Sequence, residues 1–545
     1  MNDRVGALFS WDDVEESQIR SRVGISFIST EKARSYIQSE IPSWDLNDTV
    51  KSAVEEWNRD VFSKIRVPLD STTNQTHVRL LYSSLYFIHL MPSDRTGENP
   101  LWHSEEPFWD DFYTLWDIFR CTISFYHIFQ PSYYESMIRG LIDIWRHQGF
   151  LPDGRSGNWN GLVQGGSDAD NMLADAYVKG LRGAINWTDG YAAMKTDAEV
   201  IPYNTYDPTD FSASTKEGRG ALGDWIELGY VSQDRNTRCI SRTVEYSLND
   251  FAVSQVAAGE MPSDREKYLN RSAGWQKIWN PDVQSLNFTG FVAPKFSNGT
   301  FNSSGYDPLY CDECEWKSYT YEGTPWEYSF VIPHDMETLI ELMGGTDTFE
   351  SRLDLMVRDP KARLTGAYTM SSLNRTCCST EKKLSLVNLS GKGMSLISLH
   401  PTFITISTNK PRACGANSNL CVSFKDAPYG VPGNSDAGAM NSWLLWQMLG
   451  IYPVVTQPVY LISSPWFPDL NMTINGNQTL RITATGLDRG YYVQSVRING
   501  QPWQKNWFEH QDLMEQGGSI EFELGPEMKA WETGSVPPSP GHTTM

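Results

Sequence analysis

A mainly α-helical toroid carrying a small C-terminal antiparallel β module is the fold class the chain predicts, and three observations predict it. Before Pro453, strongly apolar helical patterns alternate with amphipathic ones. Aromatic, Gly- and Pro-rich loops join them, as expected where inner helices are ringed by outer ones and a site is built from the connecting loops. After Pro453 the hydrophobic period changes from helical to two.

Composition bounds the partners. The 545 residues imply about two to four domains. A net charge of −21 without any Lys/Arg-rich run argues against nucleic acid and anionic membrane. No apolar run is long enough to span a bilayer, and Met1-Asn-Asp-Arg-Val-Gly is not a secretion signal. Yet Asn47, Asn74, Asn186, Asn270, Asn287, Asn298, Asn302, Asn374, Asn388, Asn471 and Asn477 all open Asn-x-Ser/Thr sequons, a density that points to a secretory route and so to an N-terminally truncated chain. Cys311-Asp-Glu-Cys314 reads as a local disulfide or a surface metal pair. Without a second Cys-x-x-Cys or a nearby His, the disulfide is favoured. Aromatics make up 12% of residues, 20 of them Trp, and flat indole faces suit sugars as well as cores.

In chain order, 1–28 alternates weakly and reads as one or two strands without a sheet. Residues 29–76 are linker helices: Val50, Val54, Trp57, Val61 and Ile65 make one apolar face. The region 77–455 is the helical domain, with helices expected over 78–91, 112–120, 131–147, 168–181, 263–278, 336–343 and 440–449. In the module 456–530, Leu480, Ile482 and Ala484 alternate behind Asn475-Gly476, Val496 and Ile498 run into Asn499-Gly500, and Ile520, Phe522 and Leu524 follow Gly517-Gly518. Residues 531–545 read as a disordered tail.

Two stretches carry the chemistry. Tyr321-Glu-Gly-Thr-Pro-Trp-Glu-Tyr-Ser-Phe-Val-Ile-Pro-His-Asp335 sets Glu322 among aromatics that dry its surroundings, which suits a general acid. Gly430-Val-Pro-Gly-Asn-Ser-Asp-Ala-Gly-Ala-Met440 puts Asp436 just before an apolar helix, whose dipole is expected to keep it ionised as a general base. That pair is what glycoside hydrolysis requires. The plainer alternatives are a buried hydrogen-bonding Glu and an N-capping Asp.

Together with Thr114-Leu-Trp-Asp-Ile-Phe-Arg120, Gly149-Phe-Leu-Pro-Asp-Gly154, the run Gln164-Gly-Gly-Ser-Asp-Ala-Asp-Asn-Met-Leu-Ala-Asp-Ala-Tyr-Val-Lys-Gly180 and Leu449-Gly-Ile-Tyr-Pro453, these stretches resemble, in order, the catalytic domain of the calcium-dependent α-mannosidases of glycoside hydrolase family 92 in its fungal form. The resemblance covers about 30–525. It implies an (α/α)6 barrel after an N-terminal β-sandwich, of which 1–28 would be a remnant. It further implies an inverting exo-α-mannosidase acting on terminal mannose of N-glycan or mannan-type substrates, assisted by a calcium ion. Glu322 falls on the general acid and Asp436 on the general base. Trp116 and Asp117 fall on residues that hold the terminal mannose, the alternative for both being a buried helix-start pair. Asn434 falls where some members carry an assisting Asp.

One departure matters. The family's Gly-Asn-Glu-Pro and Pro-Tyr-Leu-Tyr-Asn motifs, which line the calcium and sugar site, are missing, so the metal ligands are unassigned. Residues 357–426 lose both periodicities and hold Cys377, Cys378, Cys414 and Cys421. Read one frame away, the codons for Lys392-Gly-Met-Ser-Leu-Ile-Ser-Leu-His-Pro-Thr-Phe-Ile-Thr-Ile406 permit Gly-Asn-Glu-Pro-His-Phe-Thr-Thr-Pro-Tyr-Leu-Tyr-Asn-Tyr. We therefore expect a frameshift or misassigned intron here and, for the chain as it stands, lost calcium ligands and lost activity. Sequencing the transcript across 349–440 tests this: a message that encodes the printed residues removes the idea. The competing readings are a mannose-binding protein without turnover and another toroid-fold carbohydrate enzyme such as a phosphorylase.

Overall fold

A computed structural model describes residues 6–10, 19–70, 73–203, 215–311, 314–358, 426–427, 430–431, 435–527, 529 and 536–541. The doubtful segment, apart from its flanks 357–358 and 426, and Asn434 lie outside the described residues.

The inner and outer helices separate by burial. Thr122–Phe129 and Ala439–Leu449 are buried at every position, and Asp168–Val178 at all but its last two. Cys239–Glu260 is buried around its whole circumference from Cys239 to Ser254. By contrast Pro131–Gln148 buries one stripe, including Met137, Ile138, Leu141, Ile142 and Ile144, and leaves the other to water. Pro131 opens it, where a missing N–H costs nothing, and Gly149 closes it at φ 87, a conformation glycine adopts without a Cβ penalty. Gln75–Ile88 starts where the Asn74 side chain accepts the backbone N–H groups of Thr76 and His77, a cap that contributes about 1 kcal/mol.

Polar side chains cross-link the inner helices. Arg219 is fully buried and reaches Asp170 at 3.0 Å and Asp250 at 2.6 Å, so it joins Asp168–Val178 to Cys239–Glu260. Removing it would leave the buried Asp170 without a cationic partner and Asp250 with Arg271 alone, a loss of about 3–5 kcal/mol.

The expected helices are present with shifted ends. Residues 112–120 yield only Leu115–Ile118, and 263–278 splits into Pro262–Arg271 and the 3-10 turn Ser272–Ile278. Linker helices form at Thr30–Glu40 and Leu46–Asp60. No strand forms among the described residues of 1–28. Instead the Glu98 carboxylate accepts the Phe27 N–H (2.7 Å) and the Ser26 hydroxyl (2.8 Å), fastening that segment to the barrel without a ladder. Of the expected disordered tail, 536–541 packs against the barrel: the Gly541 N–H donates to the His334 carbonyl (2.7 Å), and the Glu337 N–H donates to the Ser539 hydroxyl (3.1 Å).

The C-terminal module contains a six-stranded sheet in the order Ile65–Arg66, Asp469–Ile474, Gln478–Thr485, Gly518–Gly525, Tyr492–Ile498, Gln501–Trp503. It is not purely antiparallel as expected, because Gln478–Thr485 and Gly518–Gly525 run parallel. The long excursion through 486–517 makes that crossover possible. Asn499-Gly500 forms a two-residue hairpin turn and Asn475-Gly476 opens a three-residue one, 475–477, with all four of these residues at positive φ. A second sheet of Ile451–Val454, Val459–Ile462 and Trp507–Glu509 follows directly from the inner helix Ala439–Leu449.

Candidate active site

Glu322 lies half-buried in the loop that precedes Pro325–Tyr328. Sequence alone offers two glutamates here, and the structure separates them. Glu327 belongs to a capping box: its carboxylate accepts the Thr324 N–H at 2.8 Å, and the Thr324 hydroxyl accepts the Glu327 N–H. Glu322 has no such duty. Its backbone is left-handed, φ 50, unusual for a residue with a Cβ. Two backbone contacts hold it there. The Glu322 N–H donates to the Cys314 carbonyl at 2.8 Å, and the preceding carbonyl, that of Tyr321, accepts the Tyr328 hydroxyl at 2.9 Å. Cys311 and Cys314 are joined as the disulfide the sequence favoured.

The expected drying by aromatics is present. Tyr321 packs on Trp316 (centroids 4.8 Å) and on Trp116 (5.5 Å), and the Arg238 guanidinium lies 4.5 Å from the Trp316 ring centre. Trp116 donates its Nε1–H to Glu245 at 3.1 Å, an acceptor shared with Arg120. Only 1% of Trp116 is exposed, so in this arrangement it backs Tyr321 and is not itself an open floor. Asp117, also buried, accepts the Thr114 hydroxyl at 2.8 Å.

Asp436 begins the short 3-10 turn Asp436–Gly438, which packs against Leu115–Ile118 and Gln75–Ile88. It was expected to be held ionised at a helix N-terminus. The geometry differs: Gly438 is the residue that precedes Ala439–Leu449, and no side chain caps that helix. Burial, and secondly the negative charge of Glu322, raise the Asp436 carboxyl above its ordinary value. The turn can form because Gly438 sits at φ 79 with its missing Cβ directed at the Ile88 backbone, 2.8 Å from Cα.

The four sequence-predicted residues therefore converge. Glu322 acts electrostatically on Asp436, and burial followed by Asp436, Glu322 and Asp117 raises the Tyr113 hydroxyl. Tyr113 itself, 51% exposed at the edge of the three carboxylates, escaped the sequence reading, although it immediately precedes the Thr114–Arg120 motif. Glu245 escaped it too, since it lies on a helix with no apolar face to flag it. A cavity of about 880 Å³ adjoins the Asp436–Gly438 turn, lined by Tyr82, Phe87, Leu90, Met91, Ser435 and Asn441; neither Asp436 nor Glu322 lines it. Among the described residues no group of three or more His, Cys, Asp or Glu side chains converges in a way that would hold a metal ion. None of the described helices is long and apolar enough to cross a membrane.

The Glycosyl hydrolase family 92 catalytic domain matches residues 32–526. A secreted glycosidase of Arthroderma benhamiae, described as uncharacterized, is 33% identical over 96% of this chain and 63% of its own length. The GH92 α-mannosidase BT3965 of Bacteroides thetaiotaomicron superposes with a TM-score of 0.76 at 20% identity, over 95% of this chain and 65% of that one. The GH92 inverting mannosidase BT2199 of the same organism gives 0.71 at 21% identity, over 92% and 66%. At that identity the superpositions establish a shared fold, the helical toroid with its β module, and the chain spans less than two thirds of the length of the fungal relative. With the match running almost end to end, this chain belongs to glycosyl hydrolase family 92.

Proposed function

We propose that this site belongs to an inverting, exo-acting α-mannosidase that hydrolyses terminal α-mannosidic bonds of N-glycan or mannan-type substrates. The observation that carries it is that Glu322 and Asp436 are drawn to the same short helix: Tyr321 packs on Trp116 at 5.5 Å, the Asp436–Gly438 turn packs on Leu115–Ile118, and the charge of Glu322 contributes to raising Asp436. Family membership, and a GH92 α-mannosidase structure with mannoimidazole bound among the structural neighbours, support the substrate class. Secretion is supported by the sequons, the disulfide and the fungal relative's description as secreted.

In this reading Glu322 donates a proton to the glycosidic oxygen while Asp436 takes one from the water that attacks the opposite face of the ring. Asp117 is proposed as an acceptor for mannose hydroxyls, and Trp116 as the backing of Tyr321. No step is routed through calcium.

Initial rates on an α-mannobioside, with and without chelator and with Glu322→Gln, test the reading. Turnover abolished by Glu322→Gln supports it, and sensitivity to chelator assigns the calcium. Mannose binding without turnover selects the binding-protein alternative, the outcome expected if 357–426 has lost the metal ligands. A requirement for phosphate selects a phosphorylase.

A further inference from the structure

We propose that the Cys311–Cys314 disulfide is a positioning element for Glu322, one that fixes the depth and direction of the acid in the site. The proposal rests on the reading of Glu322 as general acid. Both cysteines are buried, at 3% and 1% exposure, with Cα atoms 4.9 Å apart, so the bridge is part of the packed wall and not a surface clasp. Cys314 is left-handed, φ 55, and so is Glu322, φ 50. Each is a conformation a residue with a Cβ leaves when its surroundings allow it. A single hydrogen bond couples them, Glu322 N–H to Cys314 carbonyl, 2.8 Å.

The rest of the loop is fastened independently. The Thr237 hydroxyl donates to the Trp316 carbonyl at 2.7 Å, the Arg238 N–H donates to the Ser318 carbonyl at 2.6 Å, and the Tyr328 hydroxyl holds the Tyr321 carbonyl. The contact from the Glu322 N–H is thus the one that depends on where the Cys314 carbonyl points; the Glu315 N–H of the same peptide donates to the Ser318 hydroxyl at 2.9 Å and the Cys314 N–H to the Cys311 carbonyl at 3.3 Å, and the covalent bridge adds the constraint on Cys314 that these leave open. When the bridge opens, Cys314 relaxes toward negative φ, its carbonyl turns, and Glu322 loses the acceptor that holds its own backbone in the left-handed region. The loop stays folded on its other anchors while the acid shifts. A displacement of about 1 Å in a catalytic group is enough to lower the rate about a hundredfold.

The test uses the full chain, reduced with dithiothreitol and then re-oxidised, together with the Cys311→Ser/Cys314→Ser variant. Amide hydrogen exchange is the first readout and needs no turnover. Reduction is expected to speed exchange about tenfold or more across the peptide containing Glu322, to leave the inner helix Ala439–Leu449 unchanged, and to reverse on re-oxidation. Exchange at Glu322 that ignores reduction overturns the proposal, and so does loss of protection throughout the barrel, which would make the bridge a general staple.

Hydrolysis is the second readout. Reduction is expected to lower kcat on methyl α-mannoside, whose leaving group needs the acid, about tenfold or more, with KM little changed, and to spare a dinitrophenyl α-mannoside that departs without protonation. Equal loss on both substrates overturns the positioning role. Failure of the oxidised chain to turn over either mannoside counts against the hydrolase reading, and the exchange readout, which needs no turnover, then decides by itself whether the bridge positions Glu322.

Discussion

Glu322 and Asp436, the proposed acid and base, lie on walls that are fixed in different ways. The acid sits on an irregular loop whose shape comes from cross-links: a disulfide, a backbone hydrogen bond to Cys314, a Tyr328 hydroxyl and an arginine stacked on Trp316. The base sits on a turn with few cross-links, shaped by steric fit, with Gly438 pressed on Ile88 and a fully buried helix running away behind it. A loop held by many separate contacts can be adjusted contact by contact, whereas a turn held by close packing is all or nothing. That difference predicts how each wall breaks.

The largest effect comes from the carboxyls themselves. Glu322→Gln and Asp436→Asn should each lower turnover of an unactivated α-mannoside by about 10²–10⁴-fold. Only Glu322→Gln should keep most of its rate on a dinitrophenyl mannoside, where protonation of the leaving group is dispensable, because that substrate still needs a base for water. Initial rates on the two substrates read the split directly, and identical losses in both variants would dissolve the division of roles.

Next comes the steric wall. Gly438→Ala places a methyl 2.8 Å from the Ile88 Cα and imposes φ 79 on a residue with a Cβ. The strained backbone alone costs about 1–3 kcal/mol, so a thermal melt should show a clear fall in Tm, accompanied by loss of activity. A Gly438→Ala protein with unchanged Tm would mean the turn is not set by packing.

A smaller loss tests the acid's wall. Trp116→Phe deletes the Nε1–H donor to Glu245, leaving that buried carboxylate to Arg120, and should cost about 1–2 kcal/mol while keeping the ring beneath Tyr321. KM for a mannoside should rise more than kcat falls, since the acid's own anchors remain. A large fall in kcat alone would place Trp116 in the chemistry instead.

The two walls were also unequally legible in the sequence. The helices with one apolar face, such as Pro131–Gln148, and the Asn-Gly hairpins announce themselves, because water on one side imposes a period and a φ > 0 turn demands its residues. The 22-residue helix Cys239–Glu260 did not, although it is the longest among the described residues. Buried all round, it has no polar face, and its interior carries Arg242, Glu245, Asn249 and Asp250 paired within the core, which break any apolar run. Glu322 and Asp436 were found because each lies in a distinctive local stretch. What eluded the sequence is what depends on distant partners: the Glu322–Cys314 hydrogen bond, the Trp116–Glu245 contact, and the upward shift of Asp436, which arises from burial and from a charge more than a hundred residues away.

That shift yields the smallest and most specific effect. A carboxyl raised in the folded state binds its proton more tightly there than in the unfolded chain, so folding is penalised once pH exceeds the unfolded value. Below about pH 3.8 the penalty is absent. It grows as pH rises from there to the raised folded pKa, and above that it is constant. Asp436→Asn, which cannot ionise, should therefore melt a little higher than the parent at neutral pH while losing turnover, and the gain should vanish on acidification. Because the charge of Glu322 is the second cause of the shift, the same substitution in a Glu322→Gln background should gain less. Tm measured against pH for the parent, the two single variants and the double variant closes the cycle. A gain independent of Glu322 would show that burial alone raises Asp436.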